Sequence, residues 1–497
     1  MTIGELLKGM TYTVIREGAE YWQEREITSL IYDSRKVVPG CAFACERGTV
    51  YDGVDFLNMA AEKGALLAVM DKEPAQLPEG LTMLMVPDVM EAESCMAANF
   101  FSGVFTHEEE GKESEKIRMI GMTGTNGKTT TSTLMHHIFM ENGICCGLVG
   151  TNENRLGDRK EPATHTTPYP FDLYPLFDRM KRAGAKAVVM EVSSHALAQH
   201  RVSRVRYDLG MFTNLTEDHL DFHKTMKAYL EAKCKLFYQS ERGLVNGDDP
   251  AAAVILATKA CPFFTYGLQE GNDYRAENMS MDENGLVYDW TFRGEHLGQV
   301  RYPVPGRFNI YNTLLAASAC HLCGISPESI VKSLNLDHTI VDGRFETFRS
   351  RDGVIAVVDY AHTPDGLKNV LETAREFARG RIITVVGCGG DRDPVKRPIM
   401  GEIAGRLSDY CVLTSDNPRT EDPEKIIDRV EDGTRPTGCP YIRTADRREA
   451  IRLAIAMARP SDIVMVAGKG HEDYQIIGRT KIHLDDREEV TARLAER

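Results

Sequence analysis

Apolar residues in this chain gather in short unbroken runs, separated by longer segments that place apolar residues three and four apart. Runs at 66–70, 82–86, 116–120, 146–151, 186–192 and 207–214 have the length and content of buried strands. The pattern returns at 354–359, 382–386, 410–413 and 463–466. Helical spacing fills the intervals at 56–63, 89–100, 129–141 and 225–239, and an alanine-rich helix runs from Gly306 through Leu322. Strands alternating with helices predict α/β architecture with mainly parallel sheets.

One junction between strand and helix is chemically distinct. Gly124-Thr125-Asn126-Gly127-Lys128-Thr129-Thr130 lies between the run at 116–120 and the helix at 129–141. Glycines let backbone N–H groups close around phosphate oxygens, and the helix N-terminus adds partial positive charge. Lys128 supplies a point charge for the terminal phosphates, and the Thr129 hydroxyl suits Mg²⁺. The usual spacing of four residues between the first glycine and Gly-Lys would put that first glycine at Met122. The compact core Gly124 to Thr129 is therefore the better description of a phosphate loop. The bland alternative is a glycine turn with a surface lysine.

The length admits about three domains. An acidic stretch at 107–115 reads as a solvated linker. The expected division is a small α/β N-terminal domain at 1–112, a central P-loop ATPase-type domain with a mainly parallel sheet at 113–341, and a Rossmann-like domain at 342–497. Open α/β sheets bind ligands outside the carboxyl ends of their strands. Glu191, Ser193 and His195 fall at such an end, as do Glu217, Asp218, His219, Asp221 and His223. The latter cluster of carboxylates and imidazoles suits a metal site. Lys233 and Lys235 on the following helix are two apart and cannot share a face.

Strand ends of the third domain carry Asp359, Arg392, Asp416-Asn417-Pro418-Arg419, and Gly468 with Glu472. Arginine forks suit carboxylates and Glu472 suits an ammonium, so this edge suits a zwitterion. Gly387-Cys-Gly-Gly lacks the spacing of a dinucleotide loop. A phosphate loop, a metal cluster and a zwitterion site together point toward an ATP-driven joining reaction.

The formal charge of −14 argues against a nucleic-acid or anionic-membrane partner. No apolar run is long enough to cross a bilayer, and the first residues do not read as a signal peptide. The twelve cysteines are scattered, and Cys320-His-Leu-Cys323 has no matching second pair, so reduced buried thiols are expected rather than zinc. A cytoplasmic protein is the expectation.

The phosphate loop, Glu191-Val-Ser-Ser-His195, Glu217-Asp-His-Leu-Asp221 and Ala232-Lys-Cys-Lys-Leu-Phe237 resemble motifs of the Mur ligase family. So do Gly306-Arg-Phe-Asn-Ile-Tyr-Asn312, Asp342-Gly-Arg-Phe-Glu346, Asp359-Tyr-Ala-His-Thr-Pro364 and Gly468-Lys-Gly-His-Glu472, in family order over nearly the whole chain. The resemblance implies an ATP-dependent amide ligase of cytoplasmic peptidoglycan precursor synthesis, working as a monomer. It implies that meso-2,6-diaminopimelate is added to the D-glutamyl γ-carboxylate of UDP-N-acetylmuramoyl-L-alanyl-D-glutamate through an acyl phosphate.

Asp33-Ser34-Arg35 resembles the uridine-nucleotide site, so 1–112 would hold that moiety. Thr166, Thr167, Ser193, Gln199, Arg201 and Lys233 would hold the muramoyl-dipeptide; His165 departs from relatives that have Asn there. ATP would lie on Gly124 to Thr130 with Asn309, Asn312, Arg344 and Asp359. Diaminopimelate would meet Arg392, Asp416, Asn417, Pro418, Arg419, Gly468 and Glu472. Thr129, Glu191, His219 and Lys233 would hold Mg²⁺, with Lys233 carbamylated by CO₂. Lys128, Glu191, His219 and Lys233 would be the catalytic set. A carbamate needs a neutral amine, so a depressed Lys233 pKa is expected. Competing readings are the same reaction with L-lysine, a folylpolyglutamate-type ligase, and a P-loop switch or kinase that makes no amide.

Overall fold

The computed structural model describes residues 1–48, 51–104, 116–336 and 340–497, which form three α/β domains, each around its own sheet. The expected acidic linker and the first domain boundary lie outside the described residues. The first sheet has five strands in the order Thr13–Arg16, Thr82–Met85, Leu67–Met70, Cys41–Ala44, Ser29–Ile31, parallel except for Thr13–Arg16.

The central sheet has eleven strands. Its heart runs Phe263–Gly267, Gly243–Asn246, Leu209–Phe212, Arg118–Thr123, Ala187–Glu191, Cys146–Val149, all parallel. Ala187–Glu191 is buried at every position, as expected for a strand covered on both faces. The helix Lys128–Glu141 packs on that strand and on the helix Arg307–Leu322. Leu314 and Leu315 are fully buried in that region; each contributes about 1.5–3 kcal/mol by leaving water.

Antiparallel additions extend both edges. Tyr274–Asp282, Gly285–Phe292 and Glu295–Tyr302 form a meander on one side, and Glu153–Leu156 with Arg159–Pro162 a hairpin on the other. The run pattern of the sequence does not announce them. Much of Tyr274–Asp282 is solvated, so its residues are polar and form no apolar run. The expected helix at 225–239 divides into Met226–Cys234 and a tighter turn Phe237–Gln239. Lys233 is buried and Lys235 exposed, as their spacing requires.

The third sheet orders Glu346–Arg349, Ile355–Asp359, Ile463–Ala467, Ile382–Val386, Tyr410–Thr414, Tyr441–Thr444, parallel except for the first. Arg447 ties its carboxyl edge together. Its guanidinium is fully buried, forks onto Asp486 at 2.8 and 2.6 Å, and donates to the carbonyls of Ala467 and Ser415.

Where the third domain begins, Phe345 adopts a left-handed backbone (φ 47°), and its N–H donates to Asp359 Oδ2 at 2.7 Å. Burial raises the Asp359 pKa to about 6, against the opposing charge of Arg344. Its folded value thus lies above the ordinary 3.8. The stability contributed by holding that proton is greatest below about pH 4 and is lost as pH rises through about 6. A shift of about two units corresponds to about 3 kcal/mol. Urea unfolding between about pH 4 and 7 should therefore show wild type losing up to that much relative to Asp359→Asn. Parallel pH profiles would contradict it.

Candidate active site

The phosphate loop can close only with glycines in it. Gly124 and Gly127 have φ of 146° and 86°; a Cβ on Gly124 would lie 1.8 Å from Thr213 Oγ1, and one on Gly127 2.3 Å from Asn312 Oδ1. These close approaches pin the loop between the neighbouring strand end and the helix Arg307–Leu322. The loop is held from the adjoining strand end too. Thr125 N–H donates to the Asn214 carbonyl, and Asn126 N–H to Asn214 Oδ1 at 2.9 Å. Lys128 folds back over the loop and donates to the carbonyls of Gly124 (3.0 Å) and Thr125 (2.9 Å). Burial lowers its pKa, while Glu191 and Asp218 favour its charge.

Around the Thr129 hydroxyl three elements meet. Thr129 Oγ1 donates to Glu191 Oε2 at 3.2 Å, and Arg344 Nη2 donates to Thr129 Oγ1 at 3.1 Å. Glu191 is almost fully buried, and it also accepts from Thr151 N–H (3.0 Å) and Thr151 Oγ1 (2.8 Å). Thr166 joins through Thr151 at 3.0 Å. Thr167 Oγ1 donates to the Glu191 carbonyl and accepts from Ser193 N–H, both at 2.9 Å. Arg201 donates to the Thr167 carbonyl (3.1 Å) and Gln199 Oε1 (2.7 Å), and stacks over Tyr169. Tyr32 of the first domain stacks on the same Tyr169 and donates to Asp172 at 2.5 Å. His165 lies edge-on to Tyr169 and its Nδ1 is 3.3 Å from Thr164 Oγ1.

His219 takes a left-handed backbone (φ 55°), lies 3.3 Å from Asp218 and packs its ring 4.7 Å from that of His195. Burial lowers its pKa. Burial would raise Asp218, but His219, His362 and Lys396 together hold it below its ordinary value. Lys233 is 1% exposed, with its Nζ 4.2 Å above the Tyr229 ring. Burial first, then the charge of Lys128, lowers its pKa well below that of a free lysine. Among the described residues no three His, Cys, Asp or Glu side chains stand together as a metal cage. The sequence cluster at 217–223 does not close into such a cage: His219 and His223 each pack on His195 and on Tyr229, and His223 also packs on Phe222.

A cleft of about 860 Å³ joins these groups to the third domain. Thr125 to Thr130, Thr166, Glu191, Ser193, His219, Asn312, Arg344 and Asp359 line it, as do Arg392, Asp416, Asn417, Arg419, Gly468 and Glu472. Arg419 has φ 50° and donates to the Gly390 carbonyl at 2.8 Å. Asn417 and Lys469 both donate to Glu472 Oε2, at 2.8 and 3.0 Å, and Lys469 is wholly buried.

Other expected residues stand back from this cleft. Asn309 is buried behind Asn312 and orients its amide, Asn312 Nδ2 donating to Asn309 Oδ1 at 3.1 Å. Thr167, with Arg201 and Gln199 behind it, lies beneath the Ser193 side of the cleft, Lys233 lies against Tyr229, and Pro418 sits within the 415–419 loop. Ser34 starts a short turn, Ser34–Lys36, on the first domain. Sequence reading gave no role to Lys396, His362, Asp365 and Lys469, although His362 and Lys469 lie in strand-end clusters it singled out. Asp365 accepts from the Asn126 amide at 2.9 Å, and Lys396 donates to the His362 carbonyl at 2.9 Å. Three of them sit inside or beside motifs already singled out, so position next to Asp359 and Gly468 was the available signal. Lys396 had none.

Three family models match in chain order: "Mur ligase family, catalytic domain" over 26–100, "Mur ligase middle domain" over 122–320, and "Mur ligase, glutamate ligase domain" over 343–470. UDP-N-acetylmuramoyl-L-alanyl-D-glutamate–2,6-diaminopimelate ligase of Caldanaerobacter subterraneus is 39% identical, covering 100% of this chain and 99% of that protein. The Clostridium acetobutylicum protein of the same name, numbered 1, is 44% identical over 95% of each. A solved structure of a ligase of that name is 30% identical, covers 99% of this chain and 98% of its own, and superposes with a TM-score of 0.68. A phosphate loop facing a third-domain cleft is thus accompanied by end-to-end likeness in sequence and in fold: the chain belongs to the Mur ligase family.

Proposed function

We propose that the protein is an ATP-dependent ligase that joins meso-diaminopimelate to the D-glutamyl γ-carboxylate of UDP-N-acetylmuramoyl-L-alanyl-D-glutamate. The observation that carries this reading is the shared cleft, in which the phosphate loop faces Arg419, Asn417 and Glu472. Relatives named for this reaction match over the full length, which favours it over the L-lysine and folylpolyglutamate alternatives. In this reading residues 1–112 hold the uridine nucleotide, 113–341 ATP and 342–497 the amino acid. Among the described residues no helix is long and apolar enough to cross a membrane.

ATP would place its terminal phosphates on the loop N–H groups, releasing Lys128 from the carbonyls it now meets. The γ-phosphoryl group passes to the substrate carboxylate, giving an acyl phosphate and ADP. The amine of diaminopimelate attacks the acyl carbon, and collapse of the tetrahedral intermediate expels phosphate and leaves the amide. Lys128 offsets charge on the transferring group. Arg419 and Arg392 suit the carboxylate of the amino acid, and Glu472 with Asp416 suits its ammonium. Asn312 and Arg344 border the nucleotide, with Asp359 fixing the turn that aims Arg344.

The donor set fits Mg²⁺. Thr129 Oγ1 and the buried Glu191 carboxylate are hard oxygen ligands already in contact, with His219 nearby in the cleft. Mg²⁺ would offset phosphate charge there. Lys233, with its amine biased toward the neutral form, suits carbamylation by CO₂, which would turn a cation into an oxygen donor.

Phosphate release from ATP, Mg²⁺ and the UDP-muramoyl-dipeptide should depend on diaminopimelate and be weak with L-lysine or no amino acid. Arg419→Ala should raise the KM for diaminopimelate at least tenfold, a loss of about 1.4 kcal/mol, and leave that for ATP near wild type. Release with lysine, or equal effects on both KM values, would contradict the assignment. For Lys233, carbon NMR with isotopically labelled bicarbonate should show a carbamate resonance that is absent from Lys233→Ala, whose activity should fall by at least a hundredfold. A fully active Lys233→Ala enzyme would remove the carbamate from the account.

A further inference from the structure

Outside the cleft, two thiols are held together at the edge of the third sheet. Cys411 lies on Tyr410–Thr414, and Cys439 precedes the edge strand Tyr441–Thr444. Their Sγ atoms are 3.8 Å apart. The spacing is fixed by the backbone: Cys411 N–H donates to the Pro440 carbonyl at 3.0 Å, and Cys411 pairs in register with Tyr441. On the other side Cys439 N–H donates to Thr437 Oγ1 at 3.2 Å, and Thr437 packs against Gly405. Cys411 is fully buried, whereas Cys439 is partly open to solvent. All twelve cysteines are free thiols in this structure.

We propose that Cys411 and Cys439 form an oxidation site that takes a hydroperoxide and closes to a disulfide. Exposure makes Cys439 the first thiol attacked. Its sulfur displaces water from hydrogen peroxide: the O–O bond breaks, an S–O bond forms, and the thiol becomes a sulfenic acid. Cys411 then attacks that sulfur. The S–O bond breaks, the S–S bond forms, and a second water leaves with the Cys411 proton. Overall, two thiols and one peroxide give one disulfide and two waters. The hydrogen bond from the Cys411 thiol favours a thiolate at Cys439, which is the nucleophilic form. A disulfide needs sulfurs about 2.05 Å apart, so the 3.8 Å gap must close by side-chain rotation on the two adjoining backbone segments.

The location gives the bond a consequence. Tyr410–Thr414 runs directly into Ser415-Asp416-Asn417-Pro418-Arg419, so the disulfide would clamp the strand that carries the zwitterion-binding loop to the edge strand beside it. Cysteines in the first and central domains lie elsewhere in the chain and are not part of this clamp.

The full-length reduced protein, exposed to hydrogen peroxide, alkylated and digested, tests this by peptide mass spectrometry. The expected result is one linked peptide pair containing Cys411 and Cys439, with two of the twelve thiols lost and both recovered by dithiothreitol. Cys439→Ser should give no linked pair. Cys411→Ala should let Cys439 run on to sulfinic acid, which dithiothreitol does not reverse. The proposal is overturned if wild-type Cys439 stays alkylatable after peroxide, or becomes sulfinic acid while Cys411 remains a free thiol.

Discussion

The contact on which the site depends is the Thr129 hydroxyl between Glu191 and Arg344. Thr129 belongs to the phosphate-loop helix, Glu191 to the end of the next parallel strand, and Arg344 to the start of the third domain. One oxygen atom therefore reports the relative position of two domains. It donates to a carboxylate and accepts from a guanidinium. The charges that a nucleotide and a cation would bring are met here in advance by protein groups. In the proposed ligase, nucleotide and cation would compete with these contacts, which would tie domain position to occupancy of the phosphate loop.

The supporting structure keeps that junction narrow. Gly124 and Gly127 let the loop approach Thr213 and Asn312 more closely than any side chain would permit. Asp359 holds the Phe345 N–H in an unfavourable left-handed turn, and the turn directs Arg344 across the cleft. On the far edge Arg447, paired with Asp486 and hydrogen-bonded to two strand-end carbonyls, fixes where Asp416 to Arg419 can stand. Buried charge of this kind adds little net stability, and removing one partner is costly. Its service here is geometric.

Much of this was legible from residue patterns. Many of the buried parallel strands are continuous apolar runs, so Leu67–Met70, Ala187–Glu191 and the strands at 355–359, 382–386, 410–414 and 463–467 declared themselves within a residue or two. Cys41–Ala44, Gly243–Asn246 and Phe263–Gly267 were missed, their runs being short or broken by Gly, Asn and Thr. The phosphate loop was legible because glycine there answers a local steric demand. The meander at 274–302 was not, because a solvated edge leaves no unbroken apolar run. The cluster at 217–223 suited a metal site in sequence, but folding packs His219 and His223 against His195 and Tyr229. Lys396 could not have been found locally. Its relevance arises from a third-domain helix that faces Asp218 across the cleft. Arg201 and Asn309 stand behind the cleft lining, Arg201 hydrogen-bonded to the Thr167 carbonyl and Asn309 to the Asn312 amide.

In the proposed reaction the cleft activates a carboxylate by phosphorylation before an amine arrives. Isotope transfer from the carboxylate to the released phosphate distinguishes this from hydrolysis. The UDP-muramoyl-dipeptide is prepared with heavy oxygen in its D-glutamyl γ-carboxylate, turned over with ATP and diaminopimelate, and the released phosphate is analysed by mass. An acyl phosphate predicts that one heavy oxygen appears in each phosphate formed, since the carboxylate oxygen leaves with phosphorus. Phosphate without the label would mean that ATP is hydrolysed by water at this loop, and the ligase account would fail.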